Sequence, residues 1–437
     1  MARAKKEAAL TPEERLQAAL VPDWEWPYKL PENWCWVYAP HIFDIEYGKG
    51  LPTKQLSDTG YPVFGANGQI GFYSEYMYKE PQALMSCRGA YSGTMNKSLP
   101  YSYVTSNSLI ISSPRGLMGT DCIYYLFSAL NVSELISGTA QPQVTVQAFD
   151  GFPIPLSPLA EQQRIVDRIE SLFAKLDEAK EKTQTVVDSF ETRKAAILHK
   201  AFTGELTAKW REEHGVGMES WKKKSVGELC ISLKYGTAKK SDASGNVVVL
   251  RMGNLQQGEI DWSDLAYSND PDDIEKYKLF PGDVLFNRTN SAALVGKTAI
   301  YRGEHPAIYA GYLIKLDYDH DKIIGDYLNY ALNTLDAKKY CNSVKTDGVN
   351  QSNINAKKIG AYSFNVPSIP EQEKIVSVIQ KLLSKEQQSK AAAEAVLDQI
   401  DLMKKSILAR AFRGELGTND PIEESALELL KRVLESK

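Results

Sequence analysis

The side chains best suited to recognition chemistry fall in two β-rich stretches broken by Gly, Asn and Pro. They are Lys54, Arg88, Lys97 and Arg115 in the first stretch, and Lys239, Arg251, Asn254, Arg288, Asn290 and Lys345 in the second. An arginine fork matches the paired acceptors on a guanine edge, asparagine matches adenine, and lysine holds a phosphate. Each also has an ordinary use as a solvated charge or half of a salt bridge, because surface Lys and Arg are abundant. Gln141 and Gln351 sit in matching loops, "GTAQPQV" and "GVNQSNI", which suits a structural or backbone-contacting role better than discrimination. Tyr91, Tyr101 and Tyr103 lie close together and read as the core of a β-rich domain.

Catalytic chemistry has no comparable foothold. The chain contains no N-P-P-F or D-P-P-Y loop, no G-x-x-x-x-G-K-[ST] phosphate loop and no H-E-x-x-H helix, and its five histidines are scattered. "GANGQIG" at Gly65 and "YGKGL" at Tyr47 lack the strand, G-x-G-x-x-G and helix order of a nucleotide fingerprint and read as turns. "PDDIEKYK" at Pro271 reads as solvated loop charge. The five cysteines form no C-x-x-C pair, so they are expected to be reduced, mostly buried thiols, with no metal bound.

The elements that must position these groups are set by a repeat. "AFTGEL" at Ala201 returns as "AFRGEL" at Ala411, and "EQQRIV" at Glu161 returns as "EQEKIV" at Glu371, both at an offset of 210. Over Glu161–Leu206 and Glu371–Leu416, 18 of 46 positions match without a gap, so the block is a duplication. A unit that keeps its length while diverging is a helix, since an insertion costs a helix its register. Alternating steps of four and three from Ile165 give Ile169, Leu172, Leu176, Ala179, Thr183, Val186, Phe190, Arg193 and Ile197. The second copy gives Ile375, Ile379, Leu382, Glu386, Ser389, Ala393, Val396, Ile400, Met403 and Ile407. This is a coiled-coil seam, weak in the middle of both copies. Glu161 and Glu371 suit the positive N-terminal end of each helix, and Gly204 and Gly414 suit a left-handed stop. Phe202, Leu206, Phe412 and Leu416 either complete that stop or also dock a partner protein.

A helix of about 40 residues is ~60 Å long, whereas a domain of about 150 residues is only ~35 to 40 Å across. The second β-rich block starts where the first helix ends and finishes where the second begins, so the helices are expected to run antiparallel. The expected fold is α+β: two globular α/β domains separated by two long helices in an antiparallel coiled coil, pseudo-two-fold and circular in organisation. Its expected parts are an N-terminal arm (1–30), a first domain (31–155), a helical region (156–206), a linker with the second domain (207–368), a second helical region (369–416) and a C-terminal helix (417–437). "LTPEERLQAAL" at Leu10 and "SALELLKRVL" at Ser425 are amphipathic and are expected to pack together.

At 437 residues, 43% hydrophobic and 24% charged, the chain suits roughly two to four domains. It has no apolar run of the ~20 residues that spans a bilayer and no basic-then-apolar start, so no membrane role and a cytoplasmic setting are expected. The net charge of −4 argues against a simple basic nucleic-acid binder. The first domain carries 6 basic and 9 acidic side chains over 30–155, and the second 19 and 17 over 222–368. Weak intrinsic affinity for a polyanion follows, because phosphate neutralisation supplies much of such binding.

Two related domains on helices of fixed length suit a target with its own two-fold symmetry, such as double-stranded DNA. The order of parts resembles the specificity subunits of Type I restriction-modification systems. The resemblance is carried by "PLSPLAEQQRIVDRI" at Pro155, "PSIPEQEKIVSVI" at Pro367, the two "AFxGEL" ends, the "GTAQPQV" and "GVNQSNI" loops and "VPDWEWPYKLPENW" at Val21, and it covers essentially the whole chain. It implies a non-catalytic chain whose two target recognition domains each read half of a split DNA sequence. It also implies two methyltransferase subunits on the helices, restriction and translocase subunits joining them, and S-adenosylmethionine bound by the methyltransferase partner, with no cofactor on this chain. An enzyme with an unrecognised site and a protein scaffold using the helices as a ruler are the competing readings.

Overall fold

The structure is a computed structural model that describes residues 11–113, 116–349 and 351–435. Arg115 and Leu10 lie outside the described residues. Two compact units form, one from residues up to Thr183 together with Ala395 onward, the other from Gln184 to Glu394. Each holds one head and one antiparallel pair of helix segments.

Proline-marked entries start the long helices. The first runs Leu159–Asp188, is interrupted at Ser189, and resumes as Phe190–Phe202; the second runs Ile369–Ala411 without a break. Glycine ends both, Gly204 at a φ of 82° and Gly414 at 73°, the left-handed conformation that spares only glycine a steric cost. In unit 1, Lys180 meets Asp401 at 2.9 Å and the Lys404 ammonium lies 4.9 Å from the Phe173 ring centre. In unit 2, Arg193 meets Glu386 at 2.6 Å and Lys390 lies 5.1 Å from the Phe190 ring centre. As one number rises its partner's falls, so both pairs are antiparallel, as expected.

The seam departs from the expected phase in its middle. Ile165, Ile169, Ile375, Ile379, Phe190 and Ile400 are buried, and Leu172, Leu176, Leu382, Ile197 and Ile407 are half-buried. Thr183, Arg193 and Glu386 are half-buried and Ala393 is buried, as expected, but Ala179, Val186, Ser389, Val396 and Met403 are exposed and Lys180, Val187, Lys390, Leu397 and Lys404 are half-buried in their place. Two successive steps of four, through Leu172, Leu176 and Lys180, replace four-then-three, the kind of insertion that locally unwinds a coiled coil. Lysine stems lying over aromatic rings cover the apolar seam there, which is why it looks weak as a hydrophobic pattern.

Both heads have the same topology. Head one carries a four-stranded antiparallel sheet in the order Asp44–Tyr47, Ser108–Ser112, Ala83–Ser86, Met95–Lys97. Head two repeats it as Cys230–Tyr235, Leu313–Tyr318, Val284–Asn287, Thr298–Ile300. A smaller three-stranded sheet accompanies each, containing one parallel pair, Tyr61–Gly65 with Tyr103–Val104 and Val247–Leu250 with Ala307–Tyr309. The four-stranded sheets are covered on both faces, so their central strands are apolar runs rather than alternating ones. In "SLIIS", Leu109 and Ile111 face the main core of unit 1, while Ile110 joins Leu84, Phe64 and Val104 on the other side. In head two Val284 and Phe286 face the main core and Leu285 joins Leu313 and Ala299 opposite.

Each head is closed by an antiparallel strand pair, Cys35–Tyr38 with Pro153–Leu156 and Lys222–Ser225 with Ser363–Val366, that delivers the chain to a long helix. The terminal helices Pro12–Ala19 and Ala426–Glu435 lie together in unit 1, where Ala19, Ala426, Leu429, Leu430 and Leu434 share its core. All five cysteines are free. No helix among the described residues is long and apolar enough to cross a membrane.

Candidate nucleic-acid interface

One corner is built alike in both heads. A strand ends in an exposed tyrosine followed by glycine, Tyr47–Gly48 and Tyr235–Gly236, and the next residue forms a parallel bridge, Lys49 with Thr105 and Thr237 with Ala310. A Cβ on Gly48 would overlap the carbonyls of Val104 and Thr105, and one on Gly236 those of Tyr309 and Ala310. The close approach of two backbones therefore demands glycine at both positions. This is the physical content of a faint likeness between the two stretches, "EYGKGL" at Glu46 and "KYGTAK" at Lys234.

Beside it runs the end of a central strand. Cys87 N–H donates to Asn107 O at 3.0 Å and Cys87 O accepts from Val144 at 3.1 Å; Arg288 makes the matching pair with Tyr312 O and Ile354 N–H at 3.0 and 2.8 Å. Arg288 thus occupies the backbone position of Cys87, and Arg88 is one residue further on. A short hairpin completes the corner, Ile136–Ser137 with Gln143–Val144 in head one and Thr346–Asp347 with Ser352–Asn353 in head two. Gln141 and Gln351 sit at its turn with exposed side chains, and Gln351 O accepts from Gly348 N–H at 2.8 Å.

In head two this corner gathers Arg288, Asn290 and Lys345. The Arg288 guanidinium lies 4.8 Å from the Tyr235 ring centre, with Nη1 donating to Gly311 O at 3.3 Å and Nη2 to Asn353 Oδ1 at 3.2 Å, while its Nε is buried without a partner among the described residues. Asn290 pairs with Ser352 in the hairpin sheet, and Lys345 Nζ donates to Ala292 O at 3.0 Å. A stacked, bonded guanidinium is pre-organised as a fork and loses less freedom on meeting a base or phosphate. In head one Arg88 is exposed at the corner and bridges Gln143 through its backbone.

The remaining candidates lie elsewhere or are engaged. Lys54 is exposed on the turn Thr53–Gln55. Lys97 pairs with Asp121 at 2.7 Å. Lys239 pairs with Asp270 and Asp273 at 2.6 and 3.4 Å, and the Asp270 hydrogen bond holds its ammonium above the usual lysine range. Arg251 pairs with Asp264 at 3.0 Å. Asn254 corrects the expectation: it is 3% exposed, its Nδ2 donates to Asp261 O and Asp264 O at 2.9 Å, and its Oδ1 accepts from Arg251 N–H, so it shapes a turn and has no edge left for a base. Exposed pairs of this kind stabilise little and yield readily to a competing phosphate.

Two further features were invisible or misread in the sequence. Tyr103 is core, but Tyr91 and Tyr101 are 49% and 50% exposed, and Tyr101 sits at a φ of 53°. Tyr61, Tyr76 and Tyr101 form a surface chain of edge-on rings with centres 4.9 and 5.3 Å apart. The second feature is a duplicated buried carboxylate. Glu161, fully buried, accepts from Trp34 Nε1 at 2.7 Å, Asn419 Nδ2 at 2.8 Å and Thr418 Oγ1 at 3.1 Å. Glu371, also fully buried, accepts from Arg211 Nη1 and Thr207 Oγ1 at 2.7 Å and Trp221 Nε1 at 3.0 Å. Each anchor joins a helix start, the residue before a head's first strand and the segment just past an "AFxGEL" stop. That segment must turn back at glycine to reach the carboxylate, which explains why the stop is needed twice. Phe202 packs on Tyr327 with ring centres 4.9 Å apart, Phe412 is 2% exposed, and Leu206 and Leu416 lie against the same unit cores. All four are used by the chain's own packing.

Comparison with known proteins agrees with this geometry. A family model described as the Type I restriction modification DNA specificity domain matches residues 31–187 and again 218–395. The StySPI specificity subunit of a type I restriction enzyme from Salmonella potsdam is 28% identical over 289 residues, covering 65% of this chain and 62% of that protein. The EcoKI specificity subunit from Escherichia coli K12 is 28% identical over 294 residues with the same coverage. The chain thus spans less than two thirds of the length of these relatives. Among solved structures, the HsdS subunit from Thermoanaerobacter tengcongensis matches 90% of this chain and all of its own, with a TM-score of 0.57 at 20% identity. A chain from a study of complex assembly and conformational transition in the type I R-M system matches 89% and 100% with a TM-score of 0.67 at 19% identity. These two likenesses concern the fold. With the family model covering both heads, the chain belongs to the Type I restriction modification DNA specificity domain family and carries that domain twice.

Proposed function

We propose that this chain is the specificity subunit of a Type I restriction-modification complex, each head reading one half of a split double-stranded DNA target. In this reading the helical regions hold two adenine methyltransferase subunits, and restriction and translocase subunits join that core in the cytoplasm. The chain does no bond-making itself, and S-adenosylmethionine binds to the methyltransferase partner. The observation that carries the proposal is duplication with divergence at one place. Both heads present the same tyrosine–glycine corner and glutamine hairpin, yet the polar groups around them differ, with Cys87 where the other head has Arg288. A constant frame with changing side chains is what two different half-sites require, since phosphate contacts position a protein and base-edge contacts specify.

The electrostatics add a corollary. With heads near neutrality, the chain alone binds DNA weakly, and its methyltransferase partners supply most phosphate contacts. The test is single-molecule sequencing of adenine methylation in cells expressing the methyltransferase with and without this chain. A split motif that appears only with the chain supports the reading. Unchanged methylation without it, or turnover by the purified chain alone, overturns it.

A further inference from the structure

Unit 2 contains a cavity of about 470 Å³ between the Phe190–Phe202 helix and head two, and its charges are unbalanced. Lys194 enters from the helix, Lys297 from the approach to strand Thr298–Ile300, and Lys338 from helix Leu335–Val344, while Glu191 is the lining carboxylate. Three ammoniums thus face one acid in a chain that is negative overall. The bonds they make are to neutral acceptors: Lys194 Nζ donates to Gln257 O at 3.0 Å and Lys297 Nζ to Gln256 Oε1 at 2.8 Å. Lys338 has no ion pair among the described residues. Burial first, and then the Lys338 charge, holds the Lys297 ammonium below the usual lysine range. The same two causes lower Lys194, against an opposing pull from Glu191 and Glu259. Glu259 is itself bonded to Arg302 at 3.0 Å.

A separate observation points into the same space. Thr298, 1% exposed and part of the cavity lining, has a buried hydroxyl with no hydrogen-bond partner among the described residues. A buried hydroxyl left unbonded is costly, so one on a residue that lines a cavity can be satisfied by a ligand atom once the site is filled. The equivalent positions of unit 1 differ. Lys404, the copy of Lys194 in the repeat, is paired with Asp177 and lies over Phe173, and Met95 occupies the register position of Thr298.

We propose that this cavity binds a small phosphate-bearing anion, held by Lys194, Lys297 and Lys338 and hydrogen-bonded by Thr298. Three donors with spare positive charge fit an oxyanion with several acceptor oxygens. The volume falls in the range of small-molecule sites rather than that of a duplex groove. The proposal is independent of which bases the heads read.

The experiment is calorimetric titration of the full chain with inorganic phosphate and, separately, with ADP, repeated for Lys338→Met and Thr298→Val. Lys338 is exposed, so its replacement leaves the fold and the melting without phosphate unchanged, while Thr298→Val, which removes an unbonded buried hydroxyl, melts no lower than the parent chain. Saturable binding that weakens about tenfold in each variant is the expected result. No binding at about 10 mM ligand, or binding indifferent to both substitutions, overturns the site. If neither small anion binds but both variants lose affinity for duplex DNA, the groups serve the DNA backbone and the small-anion proposal fails.

Discussion

The two buried glutamates do the same job with different chemistry. Glu161 is met by neutral donors from Trp34, Thr418 and Asn419, whereas Glu371 is met by Trp221, Thr207 and the guanidinium of Arg211, itself 7% exposed. A carboxylate removed from water must recover its solvation from bonds, and one anchor does so with dipoles and the helix N-terminus, the other with an opposite charge. The duplicated helix therefore fixes where the carboxylate sits, while the unduplicated segments after each stop decide how it is satisfied. What is shared in this fold is geometry, and what diverged is the set of partners.

The most severe test of that difference is Glu371→Gln beside Glu161→Gln. In unit 2 the amide keeps one acceptor but leaves Arg211 buried without a counter-charge and sets an N–H against a donor, a loss of about 3 to 5 kcal/mol. In unit 1 the amide oxygen serves Trp34 and Asn419 while its N–H₂ meets the Thr418 hydroxyl, which accepts, so the loss is about 1 kcal/mol. For units of this size that separates the thermal midpoints by roughly 5 to 15 °C. Equal losses in calorimetry would end the distinction. Next in size, Gly48→Ala and Gly236→Ala are expected to cost about 1 to 3 kcal/mol each and to match, because both corners press glycine on carbonyls. A large inequality in denaturant midpoints would show that the heads' corners are not equivalent.

Smaller still, Trp221→Phe should cost more than Trp34→Phe, by about 1 kcal/mol in urea unfolding. Trp221 is the donor bonded to Glu371 Oε2, whereas Asn419 still serves Glu161 Oε2 when Trp34 is lost. Last comes Glu423, whose half-buried carboxyl is held below the usual range first by its hydrogen bond to Arg164, at 2.7 Å. A depressed carboxyl stabilises fully above its unfolded pKa and loses that contribution as pH falls through its folded value. Glu423→Gln should therefore lower the midpoint by under about 2 °C at pH 7, with the difference vanishing in acid. A difference that grew on acidification would reverse the assigned sign.

Much of this was legible along the chain because it is local. Helix stops at Gly204 and Gly414 follow from φ preferences, and antiparallel packing follows from helix length against domain width. The mid-helix seam was misphased because Lys390 and Lys404 lie over the Phe190 and Phe173 rings there, and a hydrophobic pattern does not register them. Glu161 and Glu371 were read for their charge at a helix start. Their burial depends on Trp34, 127 positions away, and on Trp221, 150 positions away, which no periodicity reports. Asn254 fails as a reader for the same reason, since its partners lie across a turn. Among the recognition candidates, Arg288, Asn290 and Lys345 converge only through hairpin register, whereas Lys239 and Arg251 meet acids their spacing did not announce.

The central claim is that the heads read separate halves of one target through a shared corner. Its most direct test replaces Arg88 and Arg288 by Ala in separate chains, each expressed with the methyltransferase, and maps methylated adenines by single-molecule sequencing. The expected result is a split motif in which each replacement relaxes one half and leaves the other unchanged. A motif altered in both halves by either replacement, or in neither by both, would contradict it.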